Sequence, residues 1–179
     1  MNKLVPLLAL ALLAQAAGCR KKDPAPDPPT DPLSQLPPET QTGQRTFGCL
    51  VNGHAWTPAG NPFGGPLLSC SYMTSRLAIV ANRVTIVNGS NHFQRISLVL
   101  DRVSQHGNYV LNDSSSQFAR YENDDTACNI TTTPTQIGSL EIIKLDPVAR
   151  IVSGRFSFTL ETPGCGKAVV TDGRFDCPF

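Results

Sequence analysis

Apolar residues follow three regimes along the 179-residue chain. Leu4 to Ala14 (LVPLLALALLA) is a continuous apolar run broken only by Pro6, whereas Asp23 to Arg45 (DPAPDPPTDPLSQLPPETQTGQR) shows almost no apolar periodicity. From Thr46 to Phe179 short stretches alternate apolar and polar positions between turn residues, the period-two signature of half-buried strands. Ile96, Leu98 and Leu100 fall on one face of such a stretch. In GRFSFTL, Phe156, Phe158 and Leu160 are predicted to point inward and Arg155, Ser157 and Thr159 outward.

Turn chemistry joins these stretches. Asn52-Gly53 and Asn88-Gly89 each lie between apolar arms, and both residues of such a pair tolerate the positive φ of a two-residue hairpin turn. The first turn places Val51 opposite His54 and Cys49 opposite Trp56. The second joins Leu77–Val87 to His92–Val103. A third hairpin is expected to turn at Asp146-Pro147, GNYVL and QFARY give two shorter strands, and KAVVTDGRFDC closes the chain. Asp172-Gly173 reads as a bulge or close packing point within one strand rather than a turn, which sets Phe156 near Gly173. No window carries a helical stripe. The expected fold is all-β, an antiparallel sandwich of about 8–10 strands, with a closed calycin-like barrel as the alternative.

The eleven-residue apolar run would span roughly 16 Å as a helix, about half of a bilayer core, so residues 1–18 read as a signal peptide rather than an anchor. Ala16-Ala17-Gly18 ahead of Cys19 is the small-residue step of a bacterial lipoprotein signal, in which the cysteine thiol takes the diacylglycerol. Cys19 is thus the expected lipid-attachment residue, palmitate and related acyl chains being the anchor in the bilayer. Arg20, Lys21 and Lys22 fall at headgroup level. Followed by Asp23, they resemble the tag that sends some lipoproteins of Bacteroidota-type Gram-negative bacteria to the cell surface. The expected location is the outer membrane, lipid-anchored and surface-exposed, with the periplasmic face as the alternative. Seven of the fifteen prolines lie between Asp23 and Arg45, so residues 19–45 are expected to be a disordered tether and residues 46–179 a single domain.

Charge excludes one partner class. The whole chain carries a formal charge of +1, and its basic residues are scattered. Nucleic-acid binding would need a basic stripe interleaved with aromatics. An unidentified glycan, protein or small ligand is the remaining expectation, and oligomeric state is left open.

With Cys19 acylated, Cys49, Cys70, Cys128, Cys165 and Cys177 remain for an oxidising compartment, which leaves one thiol over. A hairpin containing Ile142 and Phe156 sets position 131 opposite 165, so Cys128 and Cys165 are expected to pair. A straight strand from Lys167 to Asp176 separates Cys165 from Cys177 by roughly 35–40 Å and excludes that pair. Cys49 is left for Cys70 or Cys177.

Catalytic patterns are missing. His54, His92 and His106 are the only histidines, each beside an expected turn, and no nucleophile elbow accompanies them. Asp101, Glu122, Glu141 and Asp146 read as solvated strand or turn positions rather than a carboxylate pair. ENDDTACN (Glu122 to Asn129) is rich in oxygen ligands but lacks the alternating spacing of a calcium loop. No CxxC occurs, and Cys49…His54 lacks a second pair of ligands, so neither metal nor cofactor is expected. Trp56 reads as a core plug at a hairpin base. The chain is read as a non-catalytic binding or envelope-accessory lipoprotein. The alternatives are a small-ligand carrier barrel and an enzyme with a loop-built site.

LPPETQTGQRTFGCLVNGHAWTP (Leu36 to Pro58) and VSGRFSFTL…TDGRFD (Val152 to Asp176) resemble the two ends of a family of small Bacteroidota lipoproteins classed as a domain of unknown function. The resemblance spans nearly the whole mature chain, and Cys70 and Cys177 depart from the family's pattern. It implies a lipid-anchored β-rich domain and assigns no catalytic residue.

Overall fold

A computed structural model describes residues 31–62, 65–112, 116–133 and 136–179. The expected signal peptide, Cys19, the basic triplet and the first part of the expected tether lie outside the described residues.

Alternation and left-handed turn residues generate eleven strands: β1 (Thr46–Val51), β2 (His54–Trp56), β3 (Leu68–Met73), β4 (Arg76–Val87), β5 (Ser90–Leu100), β6 (Gly107–Leu111), β7 (Phe118–Asn123), β8 (Cys128–Thr131), β9 (Gly138–Asp146), β10 (Ile151–Thr162) and β11 (Gly166–Pro178). Asn52, Gly53, Asn88 and Gly89 all have positive φ, and the pairs Val51–His54 and Val87–Ser90 close the two expected hairpins. Cys49 lies opposite Trp56 as the spacing implied. The third hairpin turns over Pro147 to Arg150, with the Asp146 carboxylate accepting from the amides of Val148 and Ala149. β3 and β8 add two strands to the nine read from the pattern.

The strands form two antiparallel sheets, ordered β2-β1-β11-β10-β9-β6 and β3-β4-β5-β7-β8. This is a sandwich; the sheets do not close into the calycin-like barrel considered as the alternative. Ile79, Leu98 and Ile96 from one sheet and Leu140, Val152 and Leu160 from the other are fully buried between them. Each such side chain contributes about 1.5–3 kcal/mol on burial. Phe47, Phe156 and Trp56 fill one region, with Phe47–Phe156 centroids 5.0 Å apart and Phe47–Trp56 5.9 Å.

β11 is a single strand, and the pairing register shifts between Phe156 and Phe158 where Asp172 adopts positive φ. Phe156 lies opposite Gly173, and a Cβ on that glycine would sit 2.5 Å from the Phe156 carbonyl and 2.6 Å from its ring. Only a bare backbone fits under that aromatic cover.

Cys128 and Cys165 are bridged, with Cα atoms 5.6 Å apart, but not across the open end of the β9–β10 hairpin. Cys128 lies in β8 of the five-stranded sheet, so the bridge joins the two layers. The second bridge is Cys70–Cys177, Cα atoms 6.2 Å apart, and Cys49 is a buried free thiol. The expectation that Cys49 pairs with Cys70 or Cys177 is therefore corrected. Cys49 is wholly enclosed in the core, while Cys70 on β3 faces the inner side of β11. The bridged cysteines at the two ends of β11 hold β8 and β3, the opposite edges of the other sheet. β11 thus crosses that sheet from edge to edge. Loops of 37 and 107 residues are closed, worth about 3.8 and 4.8 kcal/mol in the chain-entropy account.

The folded unit also starts earlier than Thr46. A short 3-10 turn, Pro32–Gln35, is followed by Leu36, 7% exposed. Residues 37–44 then lie across the outer face of the six-stranded sheet. Pro37 covers Gly48, Glu39 makes two hydrogen bonds to Arg155 (2.6 and 2.9 Å), and Lys144 donates to the Gln41 carbonyl. Prolines in this segment act as packing surfaces instead of spacers, so the second half of the expected tether belongs to the domain.

Candidate functional site

Inward positions on β4 run Leu77, Ile79, Ala81, Arg83 and Thr85, and their partners on β5 run Leu100, Leu98, Ile96, Gln94 and His92. The first three of each series are core. Beyond Ala81 and Ile96 the same inward face turns polar. Tyr121 on β7 pairs with Ile96, diagonal to Gln94, and carries the polar edge a strand further. Alternation persists while chemistry changes, which places polar groups between the sheets at one end of the sandwich.

The other wall comes from the β1–β2 hairpin. Its short arm carries Trp56 inward, and the indole Nε1–H donates to Gln94 Oε1 at 2.8 Å, tying the sheets together. A cleft of about 350 Å³ opens beside this bond, lined by His54, Trp56, Arg83, Thr85, Gln94 and Tyr121, with Val51 and Ala55 adding apolar wall. No described carboxylate lines it.

Among the described residues, the Arg83 guanidinium and the Tyr121 hydroxyl make no hydrogen bond or ion pair, and although Tyr121 as a whole is 8% exposed, its hydroxyl opens onto the cleft. Gln94 has given its carbonyl oxygen to Trp56, and its amide N–H groups have no described acceptor. Burial pushes the Tyr121 hydroxyl above its ordinary pKa, helped by Cys49 and Asp125 and opposed by Arg83, so it is a proton donor at neutral pH. Burial also raises the Cys49 thiol, against a smaller lowering by Arg83. A protonated thiol in the core is no nucleophile.

A second polar cluster is built differently. Asp176 on β11 is 1% exposed and accepts from Thr40 Oγ1 (2.6 Å) and from the backbone amides of Thr42 (3.0 Å), Gly43 (2.8 Å) and Gln44 (3.1 Å). Burial raises its pKa, but these four donors together outweigh burial and hold it below the ordinary aspartate value. The TQTG and TDGRFD stretches are therefore the two halves of one socket. Ser153, opposite Asp176 in the ladder, keeps a buried hydroxyl without a described partner.

The residues singled out in the sequence disperse. His54 stands at the lip of the cleft, His92 Nδ1 contacts Asp125, and His106 is exposed on the β5–β6 connection. Asp101 pairs with Arg76 (2.5 Å), Glu122 with Arg95 (3.2 Å) and Glu141 with Arg155 (3.5 Å). In ENDDTACN, Asn123 caps a 3-10 turn, Asp124–Thr126. Trp56 is a core plug, 3% exposed, that also forms a cleft wall. Arg83, Gln94 and Tyr121 were not singled out; the available signal was that Arg83 continues the inward parity of Leu77, Ile79 and Ala81.

Fold and site define an all-β sandwich domain with an open, cationic polar cleft at one end. Residues 73–176 match the family described as Domain of unknown function (DUF6252), and the chain belongs to that family. The match includes Arg83, Gln94, Tyr121 and Asp176, while the Leu36 to Pro58 stretch precedes it. Comparison with curated proteins and with solved structures gave no match.

Proposed function

We propose that this protein is a lipid-anchored, surface-displayed, non-catalytic binding module that captures a small ligand in the cleft between the β1–β2 hairpin and the inner face of β4, β5 and β7. The observation that carries the reading is the set of inward donors without acceptors. These donors open onto the cleft instead of being sealed in the core, and convergent polar groups left open in a concave site are what a ligand completes. The Ala-Ala-Gly-Cys step supports the anchor.

Two measurements test it. Fluorescence of Trp56, the only tryptophan, reports the cleft directly. The full chain titrated with a mixed panel of neutral sugars, cationic amines and organic acids is expected to give a saturable change with at least one class. No response to any class refutes the binding role. For the anchor, a Cys19→Ser chain that still incorporates labelled palmitate and fractionates with membranes refutes lipidation at Cys19.

A further inference from the structure

We infer that the cleft takes a small organic carboxylate, held by Arg83 with Tyr121 and Gln94 as neutral donors; this rests on the cleft being the binding site. Three features narrow the class. The guanidinium of half-buried Arg83, without a described acid partner and in a lining without carboxylates, favours an anion over a neutral or cationic ligand. Its planar fork fits the two oxygens of a carboxylate as parallel charge-assisted hydrogen bonds. Arg83 is the only Lys or Arg in the lining, which balances one negative charge and undercompensates the two of a phosphate monoester.

The sheet sets the spacing. Arg83 and Gln94 are direct ladder partners, and Tyr121 lies one strand further on the diagonal, so the three donors spread over about 10 Å of one face. A carboxylate seated among them directs the rest of its molecule toward Val51, Ala55 and the indole edge of Trp56. A volume of about 350 Å³ suits a ligand of ring-plus-substituent size. Gln94 couples the site to its reporter, because its carbonyl holds the Trp56 indole N–H.

The test titrates the full chain with cyclohexanecarboxylate, its neutral isostere cyclohexanecarboxamide, and inorganic phosphate, reading Trp56 fluorescence. The expected result is saturation by the carboxylate with the amide at least about tenfold weaker, the scale of one lost charge-assisted pair. Arg83→Gln abolishes the carboxylate response and Arg83→Lys retains part of it. Arg102→Gln, which removes the same charge from an exposed position on the β5–β6 connection, leaves it unchanged. Unchanged unfolding midpoints establish that each variant is folded. Equal binding of acid and amide, an unaltered response in Arg83→Gln, or phosphate binding without the carboxylate overturns the assignment yet leaves the cleft as a binding site. Silence toward these probes and toward the wider panel ends both readings.

Discussion

Asp176 and Arg83 are both polar side chains set into strands of the sandwich, and their surroundings differ in kind. Asp176 meets four donors supplied by Thr40 to Gln44, so its charge is balanced by its own chain and it fastens the amino-terminal segment to β11. Arg83 faces no described acceptor, and neither does the neighbouring Tyr121 hydroxyl. Burial alone does not separate a structural polar group from a functional one. Satisfaction does: a group whose partners are built into the chain is part of the fold, and a group left open at a cleft awaits something else.

The largest expected effect breaks the first half of this contrast. Asp176→Ala strands the Thr40 hydroxyl and three backbone donors and frees residues 40–44. A loss of about 3 kcal/mol is expected, read by urea unfolding, with the melting temperature falling by roughly 10 °C. Because the native Asp176 pKa is depressed, its contribution is complete above the unfolded value of about 3.9 and disappears as pH falls through the lower native value. Stability measured across this acid range should therefore fall more steeply in the native chain than in Asp176→Asn. Trp56→Phe is intermediate: it removes the indole bond to Gln94 and costs about 1 kcal/mol, read by the same unfolding curve.

Much of this architecture was legible in the sequence. Asn52-Gly53 gave a hairpin register that holds residue for residue, and Asn88-Gly89 placed the second turn, although its second arm runs Ser90–Leu100 rather than His92–Val103 because the two-residue turn brings Ser90 opposite Val87. Phe156 over Gly173 was legible because an aromatic and a bare backbone complement one another at a bulge. β3 was missed although Leu68, Cys70 and Tyr72 alternate with serines; three inward residues, only one fully buried, give a weak hydrophobic signal. Without β3, Cys70 had no location, and Cys49 was expected in a bridge that Cys70 and Cys177 make. Proline content hid the packing of residues 31–45, because a proline stacked on Gly48 reads like one in a spacer. The cleft was the least legible feature. A charged residue in a strand is normally outward, and only the parity running from Leu77 through Ala81 places Arg83 inside.

The smallest expected effect is the most informative. The double variant Arg83→Gln, Tyr121→Phe removes two inward polar groups that the fold does not use, so its urea midpoint should match that of the native chain to within about 0.5 kcal/mol. A loss of about 2 kcal/mol or more would show that these side chains hold the sandwich together, and would contradict the claim that they are left open for a ligand.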